Sequence, residues 1–243
     1  MAMIRFILTL FLLLPLSFAQ GQVLLEEENA DPLESINRPL FALNDGLDRL
    51  LIKPVAQIYH AVMPDVGERG VGNFFANLYD INTMINALLQ WRLEGAVQSG
   101  GRFLVNSTAG FLGFIDVATP MGMRPFHTDF GQTLATWGVG SGPYIMVPLF
   151  GPRTLRSGAG TMVDLYLAPQ VYFVEDTRVR NTLFGAELVD ARARLLKAEE
   201  LMSGDRYIFI RDAYLQQRNF LLNGGVVEDS FLKSEDDGWD EDF

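Results

Sequence analysis

Cysteine is absent from this sequence. That excludes disulfides, thiol catalysis, Cys-built zinc sites, haem attachment through Cys and a lipid anchor on an N-terminal Cys. Histidine is nearly absent: His60 and His127 stand far apart, so neither a His-built metal site nor a cofactor is expected. Basic residues are in deficit, 19 Lys and Arg against 30 Asp and Glu, for a formal charge of −11. Counterion release onto cations therefore cannot drive nucleic-acid binding. The same sign disfavours adsorption to an anionic lipid surface, so membrane contact has to be made by apolar area.

Catalytic signatures are missing as well, and a non-enzyme is expected. There is no Gly-Lys-Ser/Thr of a P-loop. Gly138-Val139-Gly140-Ser141-Gly142-Pro143 lacks the third Gly of a dinucleotide fingerprint and follows no evident strand. Val139 keeps Gly140-Ser141-Gly142 from forming a nucleophile elbow. His127-x-Asp129 reads as a turn.

A spanning helix is also lacking. Phe130 to Pro152 is 23 residues without a charge, long enough to cross a bilayer, but eight of them are Gly or Pro. Each interior Gly costs a helix roughly 1 kcal/mol and each Pro about 3. Irregular apolar backbone of this kind has to be buried in protein or line a cavity, since lipid cannot satisfy its N–H and C=O groups. Segments 81–91, 103–115 and 165–174 are also uncharged, too short to span yet long enough for interfacial elements.

What is present reads mostly as helix. Residues 1–19 form an expected export signal: Arg5, an apolar run from Phe6 to Leu14, Pro15, then Ser17-Phe18-Ala19 with small residues for cleavage. A polar leader, 20–30, follows. At Asp31-Pro32-Leu33-Glu34 a helix start is written, with Asp31 as cap, Pro32 at the first position and Glu34 completing a capping box. Leu33, Ile36, Leu40, Leu43, Leu47, Leu50 and Leu51 then make one apolar stripe. Pro39 predicts a kink or break, Pro54 a new segment and Pro64 a stop. Val71 to Leu78 and Ile81 to Leu89 read as two further short helical faces. Gly95, Ser99 and Gly100 allow a close backbone approach. Helices are expected over 178–202 and 207–223, the second ended by Asn223-Gly224-Gly225. No alternating run argues for a sheet. The expectation is one all-α domain of many short amphipathic helices over 31–226, with a longer helical pair near its end. An acidic tail follows over 227–243, crowded with Glu235, Asp236, Asp237, Asp240, Glu241 and Asp242.

Some charges interrupt apolar stretches. Asp164 lies within Met162 to Leu167, and Arg211 follows Tyr207 to Ile210. Two readings stand: they face solvent or a salt-bridge partner, or they line a polar passage through an apolar body. Arg102, before Phe103-Leu104-Val105, reads as structural.

A series of motifs carries a resemblance: Asp31-Pro32-Leu33-Glu34 with Asn37-Arg38; Gly70-Val71-Gly72-Asn73-Phe74; Arg102-Phe103 with Asn106-Ser107-Thr108; and Gly113-Phe114-Ile115-Asp116. Asp129-Phe130-Gly131-Gln132-Thr133-Leu134, Trp137 to Tyr144, Pro148 to Pro152, Arg211-Asp212-Ala213-Tyr214 and Asn223-Gly224-Gly225 complete it. In order and spacing it resembles the MlaA/VacJ family of outer-membrane phospholipid-transport lipoproteins of Gram-negative bacteria. The resemblance implies an all-helical ring in the periplasmic-side leaflet of the outer membrane, with a central channel for phospholipid. It implies removal of phospholipid from the outer leaflet and delivery to a periplasmic lipid carrier, beside an outer-membrane porin trimer. Family members commonly carry a lipidated Cys after the signal, and this chain has none. Candidate lipid-path residues are Asp164, Arg211, Gly138, Gly140 and Gly142. The competing readings are a soluble periplasmic lipid-binding or scaffolding protein and a phospholipase.

Overall fold

The computed structural model describes residues 31–199 and 202–223. The expected signal (1–19), leader (20–30) and acidic tail (227–243) lie outside the described residues.

The first helix, α1 (Glu34–Leu47), runs through five π-helical residues, Asp48–Ile52, into α2 (Lys53–Val62). Asp31 marks the start as expected, but by receiving Leu33 N–H and Asn37 Nδ2 rather than as the cap residue itself. No break occurs at Pro39, which sits inside α1. Side chains on either side of it hold the helix together from outside. Asn37 donates to the Tyr144 carbonyl (3.1 Å) and receives Met146 N–H (2.8 Å); Asn44 donates to the Val147 carbonyl (3.0 Å) and receives Leu149 N–H (2.9 Å). Pro54 is accommodated by the π turn ahead of it, where Lys53 N–H reaches back to the Asp48 carbonyl. Met63 is extended before Pro64, and the helix stops there.

A single 25-residue helix, α3 (Asp65–Leu89), replaces the two short pieces expected between 71 and 89. No Gly or Pro separates them, and the charge between them is buried: Asp80 faces Arg102 of α4 (Leu93–Thr108). After the long loop from 109, α5 (Phe130–Thr136) begins at Asp129, whose Oδ1 receives Gln132 N–H.

The Gly/Pro-rich stretch departs from the all-helical expectation. Strands β1 (Tyr144–Val147) and β2 (Gly151–Thr154) pair antiparallel, with Tyr144 opposite Thr154 and Val147 opposite Gly151. Their tip turns on Leu149 at φ 66° and Gly151 at φ 75°. Asn37 and Asn44, seven residues apart on one helix face, bond to β1 much as a third strand would. That is why four residues without a strand-like pattern form one.

Thr154 then caps α6 (Leu155–Leu167) in a capping box with Ser157. Short α7 (Pro169–Phe173), α8 (Thr177–Arg194), α9 (Leu196–Glu199) and α10 (Arg206–Leu222) follow. The two C-terminal helices expected from sequence are α8 with α9, and α10. An ionic knot joins them to the first helix: Arg192 pairs with Asp48 and Glu199, and Arg206 with Asp45 and Glu199. Lys53 adds a third cation to Glu199. Burial alone would raise the Glu199 carboxyl, but these donors outweigh it and hold it down to about 2.

Polarity is inverted relative to an ordinary globular domain. Buried side chains include Asn37, Asn77, Asp80, Asn82, Asn86, Arg102, Asn106, Asp164, Asp190 and Arg218, while half the buried hydrophobics are alanines. Outside, Ile36, Leu43, Leu50, Leu51, Val55, Ile58 and Val62 continue as one exposed stripe along α1, the π turn and α2. Leu50 is 76% and Trp91 85% exposed. No helix among the described residues is long and apolar enough to cross a membrane. A stripe of this kind on a non-spanning helix suits lying along a lipid interface.

Candidate functional site

The elements close around a chamber of about 660 Å³. Tyr79 and Asn82 enter from α3, Asp129 from the start of α5, and Phe150 and Arg153 from the hairpin. Ser157 and Asp164 come from α6, Gln170 from α7, Glu187 from α8 and Arg218 from α10. The wall between α5 and α6 is thin because two glycines meet: a Cβ on Gly160 would lie 2.3 Å from Gly131 N.

Asp164 is 9% exposed. Its Oδ2 receives Phe130 N–H (3.0 Å), its Oδ1 receives Asn86 Nδ2 (2.9 Å), and its carbonyl receives Asn82 Nδ2 (3.3 Å). These neutral donors orient the carboxylate without supplying a cation. Burial therefore prevails and pushes its pKa up to about 6. Asp129, whose Oδ1 already caps α5, pairs with both terminal nitrogens of Arg218. Glu187 is half-buried, makes no ion pair among the described residues, and is raised by burial despite Arg194. Arg153 donates Nε to Thr161 Oγ1 (3.1 Å) and Nη1 to the Pro152 carbonyl (2.7 Å), with no carboxylate partner among the described residues.

Asp164 thus lies in the chamber wall. Arg211 is placed elsewhere: its Nε donates to neighbouring Asp212 (2.8 Å), and it does not line the chamber. The cation of α10 that does, Arg218, lies two turns further along the helix. Polar neighbours Gln216, Gln217 and Asn219 give it no contrast in the sequence. Gly138 and Gly142 take positive φ, 86° and 66°, whereas Gly140 does not and has open space around it. All three are exposed and outside the chamber lining. Gly138 closes α5: its N–H reaches Ala135 and Val139 N–H reaches Leu134, a Schellman arrangement. At Gly142 a Cβ would meet that of Leu155 at 2.9 Å.

A second cavity of about 400 Å³ adjoins the chamber and shares Phe75, Tyr79, Glu187 and Ala191 with it. Arg102 is buried beside it. It donates to Thr119 (2.9 Å), the Met123 carbonyl (2.6 Å) and Asp116 (3.3 Å), with Asp80 at 3.4 Å. Together with Asn106, which receives Val117 and Ala118 N–H, it fastens the loop after α4, the structural role read from sequence. His127 also lines this cavity, held below the usual imidazole range by burial and by Arg102.

Helices with apolar outer faces surround a chamber whose wall sets five charged side chains among apolar ones such as Leu78, Leu165, Phe184 and Leu221, which defines a helical protein with an apolar exterior and a partly polar interior. Comparison with known proteins is specific. The MlaA lipoprotein family model matches residues 29–221. The chain is 35% identical over 210 residues to the intermembrane phospholipid transport system lipoprotein MlaA of Escherichia coli (strain K12), covering 84% of this chain and 82% of that protein. It is 32% identical over 218 residues to the protein of the same name in Haemophilus influenzae, 86% of each. A solved structure, described as the structural basis for maintenance of bacterial outer membrane lipid asymmetry, shares a TM-score of 0.69 at 34% identity, covering 79% of this chain and 99% of that one. The chain belongs to the MlaA lipoprotein family.

Proposed function

We propose that this chain is the outer-membrane component of a phospholipid transport system. In this reading it takes phospholipid from the outer leaflet through the central chamber and passes it to a periplasmic carrier, which preserves the lipid asymmetry of the membrane. The observation that carries the reading is the placing of polarity: apolar side chains outside, where acyl tails can lie, and a chamber whose wall sets Asp129, Arg153, Asp164, Glu187 and Arg218 among apolar side chains, where a head group can pass. The names of the relatives in Escherichia coli and Haemophilus influenzae support the same reading. No chemistry on the lipid is needed; the chamber only has to lower the cost of moving a charged head group past apolar surroundings.

The protein would rest in the periplasmic-side leaflet after export and signal cleavage. Without cysteine, retention falls to the exposed apolar faces and to contact with a porin trimer. Asp164 and Arg153 are the chamber residues proposed to meet the head group, while Arg211, Gly138, Gly140 and Gly142 act on the path through its surroundings. The test is deletion of the chain in its own cells, followed by measurement of surface-exposed phospholipid. A rise that the wild-type chain reverses supports the proposal. Unchanged asymmetry, or free lipid-hydrolysis products that depend on the chain, contradicts it.

A further inference from the structure

The proposed passage leaves head-group choice open, and the charges in the chamber wall bear on it. Asp129 and Arg218 neutralise each other. What remains is one cation, Arg153, and two carboxylates, Asp164 and Glu187, none of them in an ion pair among the described residues. Arg194, the cation nearest in effect to Glu187, is already paired with Asp190 at 2.8 Å.

Among the described residues, the chamber therefore holds one guanidinium without a carboxylate partner and an excess of unpaired carboxylate.

From this, and resting on the lipid-passage reading above, we infer that the chamber selects a zwitterionic head group with a primary ammonium, the phosphoethanolamine type. Its phosphate matches Arg153, whose fork suits phosphate oxygens. Its ammonium matches Asp164 and Glu187, and its three N–H groups can donate to their carboxylate oxygens. A phosphoglycerol head group carries hydroxyl donors but adds a negative charge and leaves both carboxylates uncompensated. A phosphocholine head group supplies the positive charge but no N–H for the carboxylates. Burial holds Asp164 and Glu187 above the usual carboxylate range, the state of carboxyls that lack a cation.

The experiment uses the full chain purified in a non-ionic detergent, with an equimolar mixture of phosphatidylethanolamine, phosphatidylglycerol and phosphatidylcholine of identical acyl chains. Retained lipid is quantified by native mass spectrometry. Phosphatidylethanolamine should be retained about tenfold over each of the others, the equivalent of about 1.4 kcal/mol. Glu187→Gln, at a half-buried site without an ion pair to lose, should bring phosphatidylethanolamine down towards phosphatidylglycerol. Arg153→Gln should weaken all three alike. Equal retention of the three lipids by the wild-type chain, or preference for phosphatidylglycerol, overturns the selectivity while leaving lipid passage standing. Retention of no lipid at all removes the passage reading and this inference with it.

Discussion

Arg218 and Asp129, 89 residues apart in sequence, form a two-point ion pair that ties α10 to the first turn of α5 at the chamber wall. Asp129 spends its Oδ1 twice, on Gln132 N–H and on Arg218, so the same carboxylate both caps a helix and closes the ring. Removing Arg218 strands an acid that the helix still needs. Arg218→Ala should destabilise the protein by about 3 kcal/mol, as loss of one partner of a buried pair does. Arg211→Ala, whose partner is its exposed neighbour Asp212, should cost under about 1 kcal/mol. Chemical denaturation in detergent, read by helical circular dichroism, checks the difference; equal losses would contradict the assignment of Arg218 as the structural cation.

Acid stability should carry the mark of Asp164. Burial raises its folded pKa to about 6, above the ordinary carboxylate range, so the folded state binds the proton more tightly. The contribution is full below about pH 4 and is lost as pH rises through 6, on the order of 3 kcal/mol. Asp80, also pushed up to about 6 by burial, acts in the same window. Glu199 acts oppositely, its contribution present above the usual Glu range and lost as pH falls towards 2. The pH profile of Asp164→Asn, measured against wild type between pH 4 and 7, should therefore be flatter. An unchanged slope would show that Asp164 is solvated.

In the glycine-rich turn, Gly142 and Gly140 should separate. Gly142→Val forces a branched side chain into positive φ and against Leu155, and should cost more than about 1 kcal/mol. Gly140→Val has ordinary φ and open space, and should stay within about 0.5 kcal/mol. Melting temperatures of the two variants test this, and a reversed order would contradict the turn geometry.

Much of the fold was legible because helix signals are local. The start near Asp31, the stop at Pro64 and the helix ending at Leu222 follow from caps, prolines and periodicity, whereas the helix expected over 178–202 is divided at Leu195 into α8 and α9. Less was legible where the contacts are distant. The hairpin depends on Asn37 and Asn44 reaching more than a hundred residues along the chain. The unbroken α3 depends on Arg102 satisfying Asp80. The apolar stripe from Ile36 to Leu51 identified a helix, yet Ile36, Leu43, Leu50 and Leu51 face outwards while Leu40 packs on Tyr144, Met146 and Tyr207, because much of the interior is built from amides and charges. Arg218 gave no contrast with its neighbours, and Arg153 showed only as the charge that ends the uncharged run from Phe130 to Pro152; both emerge as chamber residues only as the chain folds.

Membrane attachment should be apolar in kind. The exposed stripe from Ile36 to Val62 and the excess of acidic residues leave salt little to screen. The protein should therefore sediment with outer membranes and stay there through a high-salt wash, yet be released by detergent. Recovery in the soluble periplasmic fraction would contradict this. Leu50→Glu with Leu51→Glu should shift it towards that fraction.

The passage itself is tested most directly by narrowing it. Leu165 lines the chamber from α6, and Leu165→Trp adds bulk there without touching the ion pairs or the outer stripe. Surface-exposed phospholipid is measured in cells that lack the chromosomal copy and carry either the wild-type or the Leu165→Trp chain, matched for abundance in the outer membrane. If lipid moves through the chamber, the narrowed protein leaves surface phospholipid as high as in cells without the chain, while wild type restores asymmetry. Full restoration by Leu165→Trp at equal abundance would mean that the lipid does not travel through the chamber.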